Sequence, residues 1–210
     1  MLLSSLNKRA RRRMVMSMVT KRLVQFLFEV GILKKTPRTG YRFLGTGEES
    51  VASHSFRTAV IGYCLCSDET VDREKVVLMC LFHDIAEART GDHNYVYQKY
   101  VIANEEKALN DQLKDLPFAN EVKSLIEEFN KAKTQEAKIA RDADQLDLIL
   151  ELKVQLDLGN RNAKEWIDYA TKRLYTEKAK EIAQSIIKSH MNEWWFTKDP
   201  DWWIKGNRSD

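Results

Sequence analysis

The chain has 210 residues, 43% of them hydrophobic and 31% charged, with a formal net charge of +3. That length suffices for one domain that buries most of the surface its unfolded form would expose. So small a positive excess gives no ground for a nucleic-acid partner, and no apolar stretch reaches the length of a membrane span.

Much of the excess lies in Lys8-Arg9-Ala10-Arg11-Arg12-Arg13. Residues 1–13 read as a basic, disordered, solvated extension. The same run could hold nucleic acid or an anionic membrane by phosphate attraction. Met14, Met16 and Met18 follow closely, so the reading frame could start there. No long apolar core with a small-residue cleavage site follows, so no secretory signal is expected.

Residues 14–193 should form one folded domain, and only 8 Gly and 3 Pro in the whole chain favour long helices over short strands. The first helix, over 14–33, carries Leu23, Phe26, Leu27 and Val30 at amphipathic spacing. Residues 34–49 hold Pro37, Gly40, Gly45 and Gly47 and form the longest clear loop, a kind that tends to be functional in compact domains. Helices are expected over 50–66 and 72–88, the second containing the apolar run from Val76 to Phe82. Arg89-Thr90-Gly91-Asp92 reads as a turn, followed by helices over 96–114 and 118–132. Thr134 is a good N-cap for a helix over 135–158, with Gly159 as its stop. A last helix should cover 163–192, leaving 194–210 as an aromatic tail with four Trp within ten residues. No alternating strand pattern and no repeat is present. The expectation is an all-α, single-domain helical bundle whose tail packs on the domain or on a partner subunit, making a homodimer.

Cys64, Cys66 and Cys80 form an odd set without a Cys-x-x-Cys pair. They read as reduced thiols of a cytoplasmic protein. The chemistry therefore falls to other residues. The four histidines are His54, His83, His93 and His190. His83 is followed by Asp84 inside an apolar run, where a carboxylate is costly to bury unless paired or bound to a metal. Glu87 lies four residues after His83, one helical turn along the same face. His54 sits on the preceding helix, and Asp142, Asp144 and Asp147 sit on a later, strongly apolar one. Three helices thus each offer a ligand-type side chain from a buried segment, which is how helical bundles build metal sites. Periodicity does not choose among the three aspartates. His93 reads as an exposed loop residue, and His190 as a helix C-terminal histidine favoured by the dipole.

Together, Thr36-Pro37-Arg38-Thr39-Gly40-Tyr41, Glu49-Ser50-Val51-Ala52-x-His54, His83-Asp84-Ile85-Ala86-Glu87 through Thr90-Gly91-Asp92, and Asp144-Gln145-Leu146-Asp147 resemble the HD-domain phosphohydrolase superfamily. The likeness is to its 5'-deoxynucleotidase (YfbR-like) branch and covers residues 20–190. It implies His54, His83, Asp84 and Asp144 as metal ligands and Glu87 as the acid/base group. It implies Arg38 on the phosphate and Asp92 beside the sugar. Where some relatives place Arg and Trp side by side, this chain has Arg38-Thr39-Gly40-Tyr41, so the ring meeting the nucleoside is Tyr41 or none. Many relatives have an acidic residue where this chain has Ser53.

Two imidazoles and two carboxylates suit Mn, Co, Fe, Ni or Zn better than Mg. With only His93 and His190 left over, a single divalent ion is expected. The implied reaction is removal of phosphate from a nucleoside 5'-monophosphate, a deoxyribonucleotide by preference, by attack of a metal-activated water. Arg38, Arg57 and Arg89 are the basic residues near the motifs. So few favour a monophosphate over a triphosphate or a guanosine alarmone. A non-catalytic nucleotide-binding protein would have a damaged motif, and this one is complete.

Overall fold

The computed structural model describes residues 8–66, 70–196 and 199–207, with side chains from residue 16 onward. Among the described residues the regular structure is helical, apart from one isolated antiparallel bridge between Pro37 and Ser50. Helix α1 (Lys8–Val30) reaches back through the basic run that was expected to be disordered. Lys, Arg, Ala and Met are strong helix formers, and nothing in that segment stops the helix. The rest of the expected extension, residues 1–7, lies outside the described residues.

A 3₁₀ turn, Gly31–Lys34, leads into the loop, which contains the one-turn helix α2 (Tyr41–Leu44). The loop closes on itself: Arg38 N–H donates to the Glu49 carbonyl at 2.9 Å, and Val51 N–H to that of Thr36 at 2.9 Å. Helix α3 (Val51–Leu65) starts where the Ser50 side chain accepts from Ser53 N–H. Helix α4 (Arg73–Phe82) is capped in the same way by Asp72.

The helix expected over 72–88 is interrupted. Residues 83–86 are wound more tightly, with Ile85 N–H bonded to Phe82 O and Glu87 N–H to Asp84 O, before helix α5 (Glu87–Thr90) resumes. Such i→i+3 winding is the 3₁₀ pattern, so Glu87 is not one α-turn from His83 along an unbroken helix.

Two further helices are shorter than expected. The 96–114 segment splits into a 3₁₀ turn, Tyr97–Lys99, and α6 (Glu105–Leu113), because Asn104 caps a new start by accepting from Lys107 N–H. Helix α7 (Ala119–Lys131) and helix α8 (Gln135–Asp157, capped by Thr134) follow. The 163–192 segment splits into α9 (Ala163–Thr171) and α10 (Glu177–Lys188). Here Asp142 of α8 accepts from Tyr175 N–H, Thr176 N–H and the Thr176 hydroxyl at 2.6–2.8 Å. That fixes the connection and explains one buried aspartate of α8. A short α11 (Pro200–Lys205) ends the described chain.

Helix α8 is apolar round much of its circumference: Ala137, Ile139, Ala140, Ala143, Leu146, Ile149 and Leu152 are all buried. A helix with this pattern must be enclosed, and α3, α4, α7, α9 and α10 pack around it. Gly62 lets α3 and α4 approach: a Cβ there would lie 2.8 Å from Cys80 Sγ. A second core, around Phe26, Leu33, Ile85 and Leu113, seats α1, α6 and α7 beside the first. In the tail, Trp195, Phe196 and Trp203 pack on one another, with ring centroids 5.1–5.7 Å apart.

Candidate metal centre

Three helical segments bring the donor atoms of His54, His83 and Asp144 within 4.8 Å of one another, and Asp84 joins them beside the two histidines. His54 comes from the first turn of α3, His83 and Asp84 from the tight turn after α4, and Asp144 from mid-α8. His54 Nε2 lies 3.3 Å from His83 Nε2, 3.2 Å from Asp144 Oδ1 and 3.6 Å from Asp84 Oδ2. His83 Nε2 lies 3.1 Å from Asp84 Oδ2 and 4.0 Å from Asp144 Oδ1. Each imidazole is turned by its other nitrogen. His83 Nδ1–H donates to the Cys80 carbonyl at 2.9 Å, since a carbonyl can only accept. His54 Nδ1–H donates to Asp147 Oδ2 at 2.6 Å. Both Nε2 lone pairs therefore face the same small volume, alongside two carboxylate oxygens. Such a set needs a proton or a cation at its centre, and its mixed N/O donors fit a borderline divalent ion.

The electrostatics follow from this crowding. Burial and Arg38 would lower the His54 pKa, but its hydrogen bonds with Asp144 and Asp147 prevail and raise it to about 10. Burial would raise the Asp84 pKa, but His83, Arg38 and His54 bring it down to about 2. Asp144 is held low against burial mainly by His54 and His83. Glu87 goes the other way: burial, with Asp84 and Asp92 nearby, lifts its carboxyl to about 9. Among the described residues its Oε2 is buried without a hydrogen-bond partner.

Asp147, one turn after Asp144, is fully buried and lies behind the centre. It accepts from Arg57 Nε at 2.5 Å as well as from His54. Arg57 also reaches Glu151 and Glu49. Arg141 and Lys153, the basic residues of α8 nearest Asp147 in sequence, are not its partners; Lys153 pairs with Asp157. A second group of possible ligands, Glu49, His54 and Asp147, lies on this rear side, but Arg57 already occupies its carboxylates.

In front lies a cavity of about 1300 Å³, lined by His83, Asp84, Glu87, Asp144, Arg38 and Asp92 among others. Arg38 bridges Asp84 at 3.2 Å and Asp92 at 3.4 Å. Asp92 is anchored in turn by the Thr39 N–H at 2.6 Å and hydroxyl at 2.8 Å. Tyr41 lines the cavity too, but it is 8% exposed, belongs to the main core, and donates its hydroxyl to Glu49. His93, expected on an exposed loop, is half-buried and lines the cavity. His190 lies beyond the end of α10 and is exposed.

The basic residues expected near the substrate are redistributed. Arg57 is taken up behind the centre, and Arg89 pairs with Glu29 on the surface. Arg141 and Arg173 line the cavity instead. Arg141 stands three residues before Asp144, so helical spacing alone places it on the same face; nothing in the sequence around Arg173 marks it.

A profile described as HD domain matches residues 30–187. The chain is 33% identical over 147 residues to a 5'-deoxynucleotidase of Bos taurus, spanning 67% of this chain and 71% of that protein. It is 33% identical over 140 residues to a 5'-deoxynucleotidase of Schizosaccharomyces pombe, spanning 62% and 70%. Among solved structures, a conserved hypothetical protein from Pyrococcus furiosus superposes with a TM-score of 0.66 at 31% identity, covering 79% of this chain and 99% of that one.

Proposed function

The chain belongs to the HD-domain family, in the branch of its 5'-deoxynucleotidases, and is a hydrolase; on that premise we propose that it removes the phosphate from nucleoside 5'-monophosphates, with deoxyribonucleotides preferred. The observation that carries this reading is the meeting of two imidazole Nε2 atoms and two carboxylates at the wall of a cavity that also exposes Glu87 and Arg38.

His54, His83, Asp84 and Asp144 would hold one divalent ion. When bound, such an ion lowers the pKa of water toward neutrality and offsets the negative charge of the phosphate. The remaining work falls to side chains. Glu87, with an unpartnered oxygen and a carboxyl protonated near neutral pH, passes a proton to the O5' of the departing nucleoside as the P–O bond breaks. Arg38, fixed by Asp84 and Asp92, turns its remaining N–H groups to a phosphoryl oxygen. Asp92, tied down through Thr39, stands beside the sugar and sets the selectivity for deoxyribose.

We place the enzyme in the cytoplasm as a homodimer. No described helix is long and apolar enough to cross a membrane. Phe28, Phe56 and Trp194 are 77%, 69% and 84% exposed, as residues at a subunit contact would be in a single chain.

The test is a screen of metal-stripped protein with Mn, Co, Fe, Ni, Zn and Mg against ribo- and deoxyribonucleoside mono- and triphosphates, read as phosphate release. Metal-dependent release from 5'-monophosphates is expected. Release only from triphosphates, or none with any metal, would overturn the assignment.

A further inference from the structure

Besides Arg38, two further guanidiniums line the cavity, those of Arg141 and Arg173, in a wall that also carries the carboxylates of Glu105, Glu106 and Glu127. Arg141 lies in the α8 stripe that also carries Asp144, Gln145 and Leu148, all facing the cavity. Its guanidinium lies 4.8 Å from the centroid of the Phe129 ring, and that ring packs 4.8 Å from His83. Arg173, in the turn after α9, lies 4.5 Å over the Tyr95 ring and donates Nη1–H to Gln145 Oε1 at 3.2 Å. Gln145 donates onward to Asp144 Oδ2 at 3.0 Å. Each guanidinium is thus held over a ring, and Arg173 is also tied to Gln145, which stands one turn after Arg141 along α8.

Their charge is otherwise unspent. Arg38 faces two carboxylates and Arg57 three. Among the described residues, neither Arg141 nor Arg173 has a carboxylate within 4.0 Å. Two planar cations that rest on aromatic rings and face a cavity without anionic partners make a site for an oxyanion. The cavity, about 1300 Å³, also exceeds the roughly 300–1,000 Å³ common for small-molecule sites.

We propose that Arg141 and Arg173 form a second anion position, which takes a phosphoryl group of the nucleotide beyond the one placed at the metal centre. The cavity then binds nucleotides with two or more phosphates more tightly than monophosphates, as inhibitors or as additional substrates. This rests on the nucleotidase reading and widens its ligand class.

The experiment compares two non-hydrolysable probes on the metal-loaded protein by calorimetry: a nucleoside α,β-methylene diphosphate and the corresponding nucleoside 5'-phosphonate, which carries a single group. The wild type should bind the diphosphate analogue at least about tenfold tighter, the size of one added charge-assisted contact. Arg173→Gln should remove most of that advantage, and Arg141→Gln with Arg173→Gln all of it, while phosphonate affinity and metal content stay near wild type. Arg173 is exposed, so its substitution carries little folding cost, and the single variant remains informative if the double one is unstable. Equal binding of the two probes by the wild type, or an advantage that survives in the variants, would overturn the second position. So would an equal loss for both probes, which would assign these arginines to the single phosphate. Failure of the nucleotidase reading would appear separately, as no phosphate release from any 5'-monophosphate.

Discussion

Substitution of Asp147 by Asn tests the machinery behind the metal centre without touching a proposed ligand. The carboxylate is fully buried and accepts two hydrogen bonds at once, one from His54 Nδ1–H at 2.6 Å and one from Arg57 Nε–H at 2.5 Å. An amide has a single oxygen. If that oxygen faces Arg57, the NH₂ group faces His54 and forces the ring's proton onto Nε2, the nitrogen that should face the ion. If the oxygen faces His54, two donors confront each other at Arg57. Removing one partner of a buried ion pair costs about 3–5 kcal/mol. Arg57 retains Glu151 and Glu49, so the lower end applies, about 3 kcal/mol. Loss of a ligand-orienting partner typically weakens metal binding about 10–100-fold. The assays are urea unfolding of the metal-free protein and calorimetric titration with Mn or Co. Metal affinity within twofold of wild type in a folded Asp147→Asn protein would refute the idea that Asp147 sets the tautomer of His54.

Glu87→Gln should lower turnover by about 10²–10⁴ with metal content unchanged; full turnover would remove Glu87 from the proton path. The metal-free protein should lose stability as pH rises from about 6.5 to 9. His54 is raised to about 10 and Glu87 to about 9 in the fold, so both bind protons there that the unfolded chain releases. A melting temperature that rises over that range would contradict both assignments. Tyr41→Ala should destabilise the chain by about 3–5 kcal/mol, as for a large buried ring, more than it shifts the ratio of deoxy- to ribonucleotide hydrolysis. A large change in that ratio with stability intact would restore Tyr41 as a sugar contact.

The helical class, the cap Thr134 and the central burial of α8 were legible because each depends on local chemistry or periodicity. His54, His83, Asp84 and Asp144 were singled out as ligands by a resemblance, since periodicity could not choose among Asp142, Asp144 and Asp147. The fold separates their surroundings: Asp142 caps the segment before α10, Asp144 faces the cavity, and Asp147 holds His54 and Arg57. The breaks at 83–86, 100–104 and 172–176 were not legible. They depend on tight winding and side-chain caps, Asn104 and Thr176, inside stretches that are otherwise good helix. The fate of the arginines was hidden for a different reason. Whether a guanidinium is spent on carboxylates or left facing a cavity depends on contacts across the fold. Arg57 meets Asp147 across 90 positions of sequence, and Arg173 meets Gln145 across 28.

The position at which a divalent ion binds is the most direct test of the proposed centre. Anomalous scattering from crystals grown with Mn, recorded on both sides of the metal's absorption edge, locates it without assumption. One peak among His54, His83, Asp84 and Asp144 is expected, on the cavity side of His54. A peak on the rear side, among Glu49, His54 and Asp147, or no ordered peak at full metal loading, would contradict the proposed centre and the chemistry built on it.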